Sequence, residues 1–410
     1  MPSIDVDAAD SRRLDAVGHP EAPGRRQWLR AGTALLGAAC GVALPGHATR
    51  ANMNAPGTLR LAAAWRGPRV DDRQEVGILQ IPADGPRLQI AARMVVPSRT
   101  HGLTALSDGG FVAVAFRPGH WMLRLDAQGR PMAQGGLDPA GPLHFSGHAV
   151  IDASGRWLIA TACDAGSGEG FVSVHDASTL RQHDVLRSGG IEPHQLVLDG
   201  SGHLLIAHGG LRRSRDGRRR PDLPVAASLD RLDISSGQIT GHWTLDDPDL
   251  SIRHLAFEAA DEAPARQGLA LALQAEHADG ELRRQAPLLA RWDGSTLTAD
   301  DATSGLGGVA GDIAVCPDGG HVISQAQAGT AWRVRPAPEL AVQEVARLRE
   351  TSALAAVTAA SAGVDPEAFA GVWIAAAAGV ARWHPGLMPR IVQWPEPLAP
   401  DNHLALLSGH

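Results

Sequence analysis

The chain has 410 residues, a formal net charge of −7 at pH 7 and 44% hydrophobic residues, enough to bury a substantial core. A sequence pI near 6.2 gives no general affinity for nucleic acid, and three cysteines cannot build a disulfide framework. With 47 glycines and 28 prolines the chain is punctuated too densely for long helices, and reads as many short elements.

The first 50 residues read as a leader. Gly24-Arg25-Arg26-Gln27-Trp28-Leu29-Arg30 resembles the twin-arginine export signal, with Trp28 where Phe is usual. A modestly apolar stretch follows from Ala31 to Leu44, and small residues at Gly46 and Ala48 offer a cleavage site. That stretch is short of the roughly 20 apolar residues a membrane span needs. The expectation is a cleaved signal over 1–50, export by the twin-arginine route and a periplasmic mature protein. An ordinary secretory leader is the alternative. Cys40 lies in this segment, which leaves Cys163 and Cys316 as separate thiols.

From residue 58 one pattern recurs: a polar-opened strand, a turn with Asp, Ser and Gly, a buried strand, a loop, and an alternating strand ending in Asp. The clearest copy runs from His148 to Asp176, with the turn Ala153-Ser154-Gly155 and a fourth strand expected near Gln182 to Leu186. The strand openings carry His101, His148, His194, His254 and Asp312, at spacings of 47, 46, 60 and 58 residues. A period in the mid-forties is that of a four-stranded propeller blade. The two long intervals carry insertions, and weaker units near 58–95 and 350–390 bring the count to seven. The predicted fold is all-β, a seven-bladed β-propeller of four-stranded antiparallel blades over 58–404, with six or eight blades left open.

In a propeller the first strand of each blade lines the channel, so those opening residues should ring its mouth. Loops between second and third strands share that face. They bring Arg117, Cys163-Asp164, His208 and Gln274 to Glu276, and an arginine-rich flap from Leu211 to Ala227. Converging imidazoles can bind a transition metal ion; with Arg253 and the flap they can instead hold an anion. A third reading is structural, each histidine bonding within its own blade. His144 and His148 have the spacing of a ligand pair but are expected to straddle a loop and a strand. Gly166 to Gly170 reads as a turn rather than a phosphate loop, since no helix pattern follows. No nucleophile elbow, HExxH or CxxC motif is present.

An ordered series of segments resembles the DUF1513 family of exported bacterial proteins, and more broadly the YVTN and WD40-like propeller repeats. The segments are Thr100-His101-Gly102, Phe116 to Gly119, Leu143 to His148, Ile191 to Leu196, Leu250 to Leu255 and Asp401-Asn402-His403-Leu404. The chain departs from the family at His208-Gly209-Gly210, Cys163-Asp164 and Glu276-His277, where Asn-Gly-Gly, Asn-Asp and Glu-Gly are usual. The resemblance implies a twin-arginine leader, a propeller, and a place in iron or other metal acquisition beside imelysin-like and di-haem oxidase-like periplasmic proteins.

The resulting expectation is a non-enzymatic periplasmic propeller that binds a ligand, metal or partner on its histidine-lined face. Its candidate contacts are His101, Arg117, His148, His194, Gln195, His208, Arg253, His254, Glu276, Asp312 and His403. The candidate metal ligands are His101, His148, His194 and His254. The cofactor expected is a transition metal ion, and the partner an imelysin-like or di-haem oxidase-like protein, with neither nucleic acid nor a membrane span involved. The alternatives are a metal-dependent propeller enzyme, lactonase- or oxidoreductase-like, and a scaffold that binds protein alone.

Overall fold

The computed structural model describes residues 57–408, apart from 215–216, 259–267, 336–340, 359–360 and 362. The leader therefore lies outside the described residues. Among the described residues no helix is long and apolar enough to cross a membrane.

The chain forms seven four-stranded sheets, each antiparallel throughout. Blade 1 runs Thr100–Ala105, Phe111–Ala115, Trp121–Leu125 and Pro131–Gly136 in spatial order. The innermost strands of blades 2 to 6 are Leu143–Ile151, Pro193–Leu198, Leu250–Phe257, Ile313–Val315 and Leu354–Val357. Blade 7 departs from the sequence reading. The unit near 58–95 supplies only three strands, Thr58–Arg66, Gln74–Pro82 and Gln89–Val95. Its innermost strand is Ala399–Leu406, from the other end of the chain. The ring closes because the last strand hydrogen-bonds to the first.

Residue type sorts by position within a blade. Second strands such as Phe-Val-Ala-Val-Ala at 111–115 are buried along their whole length, since each blade is covered on both faces by its neighbours. Outermost strands, such as Pro131–Gly136, have no buried residue. The Asp-Ser-Gly turns work as their composition suggests: the Asp152 carboxylate accepts from Ser154 Oγ at 2.6 Å and Trp157 N at 2.7 Å.

Seven hydrophobic clusters hold the ring, one at each seam. Between blades 3 and 4, Leu205 and Leu229 pack with Ile252 and Leu271, and Trp243 meets Trp292 edge-on at 5.0 Å. Between blades 6 and 7, Trp373 and Val380 pack with Leu59 and Leu79, and Trp373 Nε1 donates to Phe369 O at 2.9 Å. No blade could bury its faces alone, so closure and stability are one event.

The channel has two unlike halves. One end collects histidines and arginines. The other holds a cavity of 350 Å³ walled by apolar residues, among them Phe257, Ile313, Leu354, Leu404 and Leu406.

Candidate functional site

Five imidazoles from five blades meet at the channel axis: His101, His148, His194 and His254 from blades 1 to 4, and His403 from blade 7. Neighbouring ring centroids lie 4.7–5.3 Å apart, and most pairs meet edge-on. All five residues are buried. Asp312 from blade 5 completes the group, its Oδ2 at 3.4 Å from His403 Nδ1.

What aims these side chains inward is a local irregularity. The pairing of first with second strand shifts register between Thr100 and Leu103, Phe145 and Ala149, Pro193 and Leu196, and Ile252 and His254. The same occurs where Ala399–Leu406 pairs with Thr58–Arg66, between the partners Pro400 and Leu404. Each shift brackets or abuts one of the five histidines, and such a bulge re-aims a side chain that the regular pleat would send elsewhere. His144 and His148 lie on one strand rather than on a loop and a strand. The shift separates them, and only His148 joins the cluster.

Close backbone approach brings the imidazoles together. A Cβ on Gly102 would lie 2.0 Å from Gly147 O, and Gly147 has φ +110 with its space filled by His101. The dipeptides His101-Gly102 and Gly147-His148 are therefore coupled: the glycines let adjacent inner strands touch so that their histidines can.

Hydrogen bonding fixes part of the tautomer pattern. Arg117 can only donate, so His194 Nδ1 accepts from it at 3.2 Å. His194 Nε2 then donates to His254 Nε2 at 3.2 Å, and His254 Nδ1 donates to Gly311 O at 2.6 Å. In contrast, both nitrogens of His101 and the Nε2 atoms of His148 and His403 are buried without a partner. Buried polar atoms in this state call for an explanation. Burial, followed by repulsion among neighbouring imidazoles and Arg117, holds His101, His148 and His194 well below the usual histidine range. Burial and His403 bring His254 down to about 3. These four rings are therefore neutral at ordinary pH, each with one nitrogen lone pair free of a proton.

One nitrogen from each of His101, His148, His194 and His254 lies within 4.8 Å of all the others, and His254, Asp312 and His403 form a second such group. Imidazole nitrogens sit about 2 Å from a bound first-row metal, hence roughly 3–4 Å from one another. Closing the first group on one ion would contract its widest pair by about 1–2 Å. The residues fit a transition metal.

Above the ring lies a layer organised by an acid that the sequence reading did not single out. Glu192, at a positive φ of 53, is buried among three arginines: Arg213 at 2.7 Å, Arg253 at 3.3 Å and Arg117 at 3.8 Å. Burial would raise its carboxyl, but those charges hold it at about 2. Burial likewise lowers Arg117 to about 10, with Glu192 only partly opposing it. Glu276 pairs with Arg219 at 2.5 Å and Arg253 at 3.8 Å. Arg213 and Arg219 belong to the flap, so the two carboxylates pin the flap to this face. The signal available in the sequence was an arginine run in which arginines outnumber the local acids Asp216 and Asp222.

The other candidates lie elsewhere. His208 does not reach the ring. It is buried at the seam of blades 2 and 3, with Nδ1 2.9 Å from Asp230 Oδ2 and Nε2 2.9 Å from Ser188 Oγ. All three groups are fully enclosed, so this triad-like chain meets no substrate. Gln195 accepts from Leu255 N at 2.6 Å and ties blade 3 to blade 4. Cys163 and Cys316 are buried free thiols, each pushed up to about 12 by burial. The Gly166 to Gly170 segment is a turn closed by the Asp164 carboxylate, which accepts from Gly166 N and Ser167 N.

Fold and site together define a seven-bladed propeller with a polyhistidine channel mouth. The chain belongs to the family described as protein of unknown function DUF1513, whose sequence profile matches residues 94–407. A comparison with curated proteins found no match. Among solved structures, a functionally unknown protein from Desulfotomaculum acetoxidans is similar with a TM-score of 0.55 at 8% identity, covering 86% of this chain and 99% of that one. A Lactobacillus plantarum protein gives 0.54 at 13% identity, covering 86% and 100%. The β-propeller domain of Cps50 (Swd1) from Myceliophteria thermophila gives 0.50 at 11%, covering 79% and 94%. At such identities the likeness is one of fold.

Proposed function

We propose that this protein is a non-enzymatic periplasmic propeller that binds a transition metal ion at its histidine ring and assists metal acquisition. The carrying observation is the convergence of five buried imidazoles from five blades, several with unpartnered nitrogens. Imidazole sets of this kind suit zinc, copper, iron or nickel. A ring-shaped scaffold holds them without reorganisation on binding. Export rests on the resemblance of the leader to twin-arginine signals, and an imelysin-like or di-haem oxidase-like protein is the partner that the family resemblance suggests. Against an enzymatic reading, the acids nearest the ring are already engaged: Glu192 by arginines, Asp312 by Ile313 N and Leu354 N at 2.9 Å each.

The test is metal analysis of protein purified from the periplasm, beside a variant carrying His148→Ala and His194→Ala. Stoichiometric metal in the wild type that falls to background in the folded variant is the expected result. Equal content in both, or none in protein incubated with each metal in turn, would falsify the metal reading.

A further inference from the structure

The ring opens on a cavity of 280 Å³ whose walls include His101, His194, His254 and the guanidinium groups of Arg99, Arg117 and Arg253. It is below the roughly 300–1,000 Å³ of sites for drug-sized ligands. Three arginines face one wall carboxylate, Asp312, and they are unequally neutralised. Arg99 is matched by Asp401 through two bonds of 2.8 and 2.6 Å, and Arg253 by Glu192 and Glu276. Arg117 lies 5.5 Å from the Phe116 ring centre and meets the distant edge of Glu192 at 3.8 Å, which already serves Arg213 and Arg253; its hydrogen-bond acceptor among the described residues is the lone pair of His194 Nδ1.

That last bond cannot survive metal binding. If an ion takes His194 Nε2, the neutral ring must carry its proton on Nδ1, which then points a donor at a donor. If the ion takes Nδ1, the lone pair is used. In both cases a buried guanidinium loses its acceptor, a costly state that an anion in the cavity would relieve.

We propose that the ring takes up its metal together with a small carboxylate-bearing anion, held in the cavity by Arg117 and supplying an oxygen to the ion. The proposal rests on the metal reading and specifies how the ion is delivered: as a carboxylate complex, not as the bare cation. A planar carboxylate matches the fork of Arg117 and can accept from a His194 N–H at the same time.

The test uses cobalt(II) as metal and succinate, a weak chelator, as anion, followed by calorimetry and visible absorption of the full mature chain. Succinate is expected to bind cobalt-loaded protein at least tenfold more tightly than metal-free protein and to shift the cobalt bands. Arg117→Ala should weaken that binding at least tenfold, and Arg117→Lys by less. Arg130→Ala, which removes the same charge at a remote exposed turn, should leave it unchanged. Equal succinate affinity with and without cobalt, or in wild type and Arg117→Ala, overturns the inference while leaving the metal site standing. Tighter binding of inorganic phosphate than of succinate overturns the carboxylate assignment. Failure to retain cobalt with or without succinate overturns both readings.

Discussion

His403 Nδ1 lies 3.4 Å from Asp312 Oδ2, so the strand that closes the ring also completes the histidine cluster. Ala399–Leu406 is the inner partner of the first strand, and Leu404 and Leu406 pack at the seam of blades 6 and 7. Truncation after Pro397 is expected to abolish the cooperative thermal transition, whereas His403→Ala should keep it and lose metal affinity. A truncated chain that melts like the full one would show that closure is dispensable.

Glu192 sits where removing one charge leaves several without a counterion. Breaking a buried ion pair from one side costs about 3–5 kcal/mol. Glu192→Gln is expected to lower stability by that order in urea denaturation and to free the flap, making it more open to limited proteolysis after Arg212 to Arg220. Unchanged stability and cleavage would mean that the arginines find other partners.

Gly102→Ala separates site from scaffold. The added methyl meets Gly147 O at 2.0 Å, so two inner strands must part. Overpacking of this kind costs about 1–3 kcal/mol, which the ring can absorb. The expected variant folds with a lower melting temperature and retains little metal. Full metal retention would mean that the imidazoles tolerate a wider ring.

Stability should fall in mild acid through His321, apart from the ring. Burial lowers its imidazole to about 4, opposed by the contact of Nε2 with Phe257 O at 3.3 Å. The unfolded chain takes up the proton near 6.5 and the folded one does not until about 4. The contribution is therefore complete above pH 6.5, declines as pH falls to 4, and is level below. A shift of this size corresponds to about 3 kcal/mol. Denaturation from pH 7 to 4 should show a smaller loss in His321→Gln than in wild type; parallel losses would remove His321 as a cause.

The repeat made the blades legible. Strands opened by His or Asp and Asp-Ser-Gly turns are local signals, and they placed five inner strands and the face where the imidazoles gather. The closing strand was missed because closure is a pairing between Leu61 and Leu406, which no period reveals. The bulges were missed because a register shift leaves no residue signature, which is why His144 and His148 looked like a pair. His208 was assigned to the face by its loop position, yet the alternation of Leu204, Ile206 and His208 turns it into the seam of blades 2 and 3. Glu192 went unnoticed because a single acid acquires meaning only from arginines 21 and 61 residues away.

The apolar wall that blades 4 to 7 present at the far end of the channel bears on where a ring-bound cation could go. A cation leaving the ring toward Phe257, Ile313 and Leu406 would shed its ligands with no oxygen or nitrogen side chain to receive it along that wall. On the metal reading proposed above, loading and release would share the doorway beneath the arginine flap, and an acceptor of the ion would dock on the same rim that admitted it.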